Sequence, residues 1–270
     1  MSSALTPAPD LAAATPGGGG IPELEEIAPR HRTVAGYLFM PVLLAVVLIV
    51  LWLWVRGQDL SSGVRTRVQL DFILPRAWEH IVLTAVSTLL VLLIAIPMGI
   101  MLTRPFARRI TPAAIAVFNV GQGVPSIGVI ALLALIWTIG FWPAIIALVA
   151  YTTLPVLRNT MVGLEQVDAA VIEAARGMGM TKRAVLARIE LPLAVPVMMA
   201  GVRTALVINV GTATLATLIN AGGLGDIINA GITRSDELVT VVGSVLVAVL
   251  ALLIDYLGGL AEDLLRPKGL

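Results

Sequence analysis

Cysteine is absent from this chain, which excludes disulfide staples and thiolate metal sites together. Histidine is nearly absent: a histidine metal site or a Ser-His-Asp triad would rest on His80 alone, because His31 lies on the far flank of the first apolar run. Charge is scarce as well. Asp, Glu, Lys and Arg make up 13% of 270 residues and the net charge is +1, with no basic tail and no interleaving of basic and aromatic side chains. Nucleic acid is therefore not an expected partner. Paired carboxylates of the kind used in acid–base catalysis are missing, and no Gly-x4-Gly-Lys-[Ser/Thr] phosphate loop occurs, so the chain is not itself expected to be an ATPase.

What fills the chain instead is apolar: 58% of residues are hydrophobic and the mean hydropathy is +0.95. So much apolar surface with so few charges makes lipid the solvent for most of the chain, an all-α membrane protein. Six spans are predicted, near residues 36–55, 80–103, 111–139, 141–157, 196–218 and 238–260, in one membrane domain over 36–262. Residues 1–35, with five prolines and a glycine run at 17–20, read as a disordered tail, and 263–270 as a second short tail. The polar connection at 56–79 is expected to hold at most a short interfacial segment near 70–74.

Basic residues set the orientation. With the long polar interval at 162–192 inside, Arg30, Arg32, Arg104, Arg108, Arg109, Arg158, Arg176, Lys182, Arg183, Arg188, Arg266 and Lys268 fall in the cytoplasm. Arg56, Arg65, Arg67, Arg76 and Arg234 fall outside. Both termini are then cytoplasmic, and all five tryptophans land near the outer interface, as an aromatic belt requires.

The interval at 173–192, EAARGMGMTKRAVLARIELP, is predicted to form two short helices at an angle. Asp168 caps the first, Gly179 ends it in the left-handed conformation, Thr181 caps the second and Pro192 stops it. Glu173, Ala174, Ala175, Gly179, Ile189, Leu191 and Pro192 carry the spacing EAA-x3-G-x9-I-x-LP. This resembles the cytoplasmic coupling motif of the membrane subunits of bacterial ABC importers, whose bend docks into a groove on the ATP-hydrolysing subunit.

Two further stretches extend the resemblance. NVGQGVPS at 119–126 breaks the third apolar run, and it is similar to the NxxQ-x-x-PS pattern of permeases for betaine, choline and carnitine. The matching residues, Asn119, Gln122, Pro125 and Ser126, are candidates for the translocation path, and Gly123 stands where threonine is common. Gln122 and Ser126 either line a translocation path or satisfy backbone groups freed by Pro125; both readings stand on sequence alone. TATLATLINAGGLG at 212–225 resembles the end of the fifth span in osmoprotectant and methionine permeases. Gly222, Gly223 and Gly225 there are candidates for an outer gate or a contact with a binding protein. Asn209 and Thr212, polar groups within the fifth span, join the path candidates. Arg203 and Asp255, charged groups within apolar runs, read as anchors or a structural pair.

The resemblance implies a type I importer permease fold, like that of methionine importers, in a bacterial cell membrane. Its implied partners are an ATP-binding subunit dimer, which holds ATP and Mg, a second or sister permease, an extracytoplasmic substrate-binding protein and membrane lipid. No cofactor and no metal is expected on this chain. The implied function is import of a quaternary ammonium osmoprotectant. A methionine or other amino-acid permease is the first alternative, and a membrane scaffold or sensor that docks an ATPase without carrying solute is the second.

Overall fold

A computed structural model describes residues 34–265, and every regular element among them is helical. The tail expected over 1–35 lies outside the described residues, except that 34 and 35 already belong to α1 (Val34–Arg56). Helix α1 is apolar on every face, and from Gly36 onward Leu44 is its one buried side chain, the pattern of a helix solvated by lipid.

After the short α2 (Ser62–Arg67), helix α3 runs from Leu70 to Leu102. It starts ten residues before the expected 80–103, and the polar connection there is not an interfacial fragment but its first turns. The reason is tertiary: Phe72, Ile73 and Ala77 pack on Leu224, Ile227 and Val239, and Arg76 pairs with Glu79 one turn on. The third apolar run divides into α4 (Thr111–Gly123) and α5 (Ser126–Ile136), bent by 92° across Val124 and Pro125. Helix α6 (Phe141–Glu165) continues past the expected end at 157, because Thr160, Met161 and Leu164 are buried.

Two corrections concern the next segment. Helices α7 (Ala169–Gly177) and α8 (Lys182–Val185) form the expected pair, but Pro192 does not stop the second. A π turn over Leu186–Glu190 carries α8 directly into α9 (Leu191–Ala213). The Leu191 N–H reaches back to the Leu186 carbonyl, and this wider turn moves the backbone away from the Pro192 ring, which a regular α turn would strike. A 3₁₀ turn at Thr214–Ile219 ends α9. The glycine-rich connection that follows holds α10 (Gly225–Thr233), and α11 (Glu237–Leu265) outruns the expected 238–260.

Helix α6 packs between α3 and α9, with Leu157, Val91 and Ala205 in one buried cluster and Ile145, Leu83 and Ala216 in another. Small residues let the backbones approach. A Cβ on Gly163 would stand 2.9 Å from the Ala194 carbonyl, and one on Gly201 2.8 Å from the Pro155 carbonyl. Among the described residues five helices are long and apolar enough to cross a bilayer, or six if the bent α4–α5 pair is one broken crossing.

Candidate functional site

The bend between α7 and α8 is built by caps. Asp168 accepts the Ala170 N–H at 2.8 Å and Thr181 accepts that of Ala184 at 3.3 Å. Gly179 has φ +86°, its N–H donates to the Arg176 carbonyl and the Met180 N–H donates to that of Ala175, the paired bonds of a Schellman cap. The motif positions then divide. Glu173, Ala174 and Gly179 face outward beside exposed Met178, Lys182 and Arg183. Ala175 is buried, while Ile189, Leu191 and Pro192 are half-buried, Leu191 against Leu164 and Met198. Glu190, inside the motif but not selected from sequence, is buried and accepts from Arg104 Nη2 at 2.6 Å. That pair ties the bend to the loop after α3. Its sequence signal was a lone carboxylate between apolar neighbours.

The break between α4 and α5 holds a second group. Gln122 Nε2 donates to the Tyr151 carbonyl at 3.0 Å. That carbonyl has no helical donor, because the residue four positions on is Pro155. Gln122 therefore satisfies a group freed by Pro155 on a neighbouring helix, where the sequence had suggested one freed by Pro125. Asn119 accepts from Arg158 at 2.6 Å, a second tie between α4 and α6. Asn209 is fully buried and donates to the Thr84 carbonyl and the Ser87 and Thr88 hydroxyls, joining α9 to α3.

Ser126 and Thr212 stand apart from these. Together with Gly121 and Tyr151 they line a cavity of about 10 Å³, roughly the room one water needs. Hydroxyls elsewhere in the long helices donate one turn back, as Thr84, Ser87, Thr152, Thr153, Thr160 and Thr204 do. The hydroxyls of Ser126, Tyr151 and Thr212 have no hydrogen-bond partner among the described residues, and all three residues line the one cavity.

The third group is the turn before α10. Gly222 and Gly223 have φ +82° and +97° and lie against Glu79 and His80. Glu79 Oε2 accepts the Gly223 N–H at 3.0 Å and His80 Nδ1 accepts the Leu224 N–H at 3.3 Å. The proton of His80 is then on Nε2, which donates to the Val210 carbonyl at 3.0 Å. That carbonyl is free because α9 tightens there and the Thr214 N–H turns to Gly211. Arg76 bridges Glu79 and Asp226 at 2.8 and 3.1 Å, and Thr217 donates to Asp226. A Cβ on Gly225 would collide with the Thr214 backbone, while Gly222 and Gly223 are favoured by their positive φ. Sequence reasoning found the glycines and missed Glu79 and His80, whose signal is two adjacent polar residues at the start of an apolar run. Arg203 and Asp255 form the structural pair: a two-bond contact at 3.0 Å, extended by Glu262 at 3.2 Å.

A family profile described as "Binding-protein-dependent transport system inner membrane component" matches residues 95–268. The chain belongs to this family. The osmoprotectant import permease protein OsmY of Salmonella typhimurium is 42% identical over 212 residues, 78% of this chain and 89% of that one. The choline transport system permease protein OpuBB of Bacillus subtilis is 38% identical over 198 residues, 73% and 90% of the two chains. The fold is that of a chain of the MetNI methionine ABC transporter in inward-facing form, with TM-score 0.66 and 25% identity over 77% of this chain and all of that one. As a member, the chain is a multi-pass transport permease, and α1 lies outside the matched residues.

Proposed function

We propose that this chain is the permease subunit of an ATP-driven importer that moves a small quaternary ammonium osmoprotectant into the cytoplasm. The observation that carries the docking half is the capped bend with Glu173, Ala174 and Gly179 on its open face. The solute class rests on likeness to choline and osmoprotectant permeases at 38–42% identity, against 25% for the methionine transporter, which favours it over the methionine alternative. ATP and Mg belong to a partner subunit, a substrate-binding protein delivers the solute from outside, and this chain performs no chemistry. Two permeases, identical or sister, complete the pore. The bend and both termini face the cytoplasm, in keeping with the basic-residue asymmetry.

The uninterrupted helical run of 38 residues over Lys182–Ile219 supports a mechanical route. Closure of the ATP-bound partner pushes on the bend, and this run carries the displacement to Thr212, thirty residues and about 45 Å along. Ser126 and Thr212 line the path, while Asn119, Gln122 and Asn209 hold the helices that frame it. Gly222, Gly223 and Gly225 form its outer closure. A scaffold that carries no solute has no use for unpartnered hydroxyls inside the membrane, which disfavours the second alternative.

The test is uptake into proteoliposomes that contain the permease with its ATPase and binding protein. ATP-dependent accumulation of glycine betaine, choline or carnitine is expected. Accumulation of methionine alone overturns the solute class, and ATPase docking without uptake of any solute overturns the permease reading.

A further inference from the structure

Tyr151 is absent from the resemblance motifs and has no assigned role, yet it lines the same small cavity as Ser126 and Thr212, the two residues placed on the path above. It lies ten residues into α6, about 15 Å along that helix and close to mid-membrane. Its hydroxyl, like those of Ser126 and Thr212, has no hydrogen-bond partner among the described residues, and the three residues line one small cavity. A phenol left without a partner in hydrocarbon is costly, so this cluster points to a wet or solute-filled passage rather than to lipid. The surroundings are open: Cβ atoms built on Gly121, Gly128 and Gly211 would meet nothing within 4 Å. Glycines that serve helix packing do the opposite, as at Gly163 and Gly201.

A quaternary ammonium has no N–H to donate, so hydroxyls and carbonyls recognise it weakly. An aromatic face does recognise it, through the ring quadrupole. A carboxylate would attract it more strongly but is expensive at mid-membrane, and the lining of this cavity carries none. Transport also favours a contact weak enough to be left again. Other aromatics are not so placed: Trp137 and Trp142 are exposed near helix ends, and Phe118 packs on the buried cluster around Leu154.

We infer that Tyr151 is the solute-selecting aromatic of the path, its ring meeting the trimethylammonium group at the constriction formed with Ser126 and Thr212. This rests on the importer reading above. The hydroxyl keeps the ring edge hydrated when the passage is empty, and the ring face carries the selectivity.

The experiment uses the full complex in proteoliposomes, with choline and glycine betaine as probes. Tyr151→Phe should stay within about 2-fold of the wild-type uptake rate, whereas Tyr151→Leu should lose about 10-fold. ATP hydrolysis stimulated by the loaded binding protein, and recovery of the assembled complex, should be unchanged in both. Tyr151→Trp should restore uptake in proportion to its stronger cation–π face; it serves as the decisive variant if Tyr151→Leu does not assemble, and loss of uptake in an assembled Trp complex then overturns the inference. A wild-type rate in Tyr151→Leu overturns it, and so does an equal loss in Tyr151→Phe, which assigns the role to the hydroxyl. If the wild-type complex accumulates neither probe nor carnitine, the importer reading falls and takes this inference with it; a leucine variant that transports normally removes the inference alone.

Discussion

Gly179 and Gly223 adopt the same left-handed backbone, at φ +86° and +97°, in opposite surroundings. Around Gly179 a Cβ would meet nothing within 4 Å, and the neighbouring Glu173, Met178 and Lys182 are exposed. Around Gly223 the Glu79 carboxylate holds the amide and the His80 ring stands 3.0 Å from where a Cβ would be. The two turns have one stereochemical requirement in common and differ in what encloses them. A turn closed by its own chain is a structural joint. A turn capped by its own backbone and left open outward is free to serve as the docking surface proposed above.

The sharpest way to break this comparison is Gly223→Val. Strain at positive φ, collision with His80 and loss of the Glu79 and His80 contacts act together, and should destabilise the protein by roughly 3–5 kcal/mol. Thermal unfolding in detergent and the amount of inserted protein would both fall. Unchanged values would mean that the turn is not enclosed as described.

His80→Leu removes the ring's two hydrogen bonds but leaves the backbone conformation possible. The Val210 carbonyl and the Leu224 N–H lose their partner, at about 2–4 kcal/mol together. The expected result is an inserted protein with a lower unfolding temperature than wild type but above that of Gly223→Val. The reverse order would place the energy of this joint in the histidine rather than in the glycine.

Gly179→Val should have the smallest effect on stability, about 1–2 kcal/mol of backbone strain, because no atom stands in the way. Its effect should appear instead in partner binding: inserted, folded permease that no longer co-purifies with its ATPase. Lys182→Ala, on the same exposed surface, should be nearly silent in both assays. Retention of the ATPase at wild-type level by the valine variant would remove the bend as the coupling surface.

Much of this was legible beforehand because it depends on near neighbours in the chain. Asp168, Gly179 and Thr181 act on amides within three residues, so their caps follow from local stereochemistry. The break at Pro125 was readable for the same reason, although its 92° angle was not. Pro192 shows the limit of local reasoning. Its missing N–H argued for a helix end, and a π turn absorbed the clash instead.

Long-range pairing was out of reach. Nothing near Gln122 indicates that its partner is a carbonyl freed by Pro155 on another helix, or that Glu79 and His80 await a turn 144 residues away. The sequence by itself determined the solvent of this protein, the number and approximate place of its apolar runs, the two capped helices of the bend and the left-handed glycine, Gly179, that ends the first of them. These follow from composition, periodicity and single-residue stereochemistry. The tertiary structure alone decided which of the two glycine turns is enclosed, which polar groups are paired across helices, and which three residues with unpaired hydroxyls line one small cavity. Those depend on contacts between residues far apart in the chain, where burial makes every unpaired polar group costly and so selects its partner.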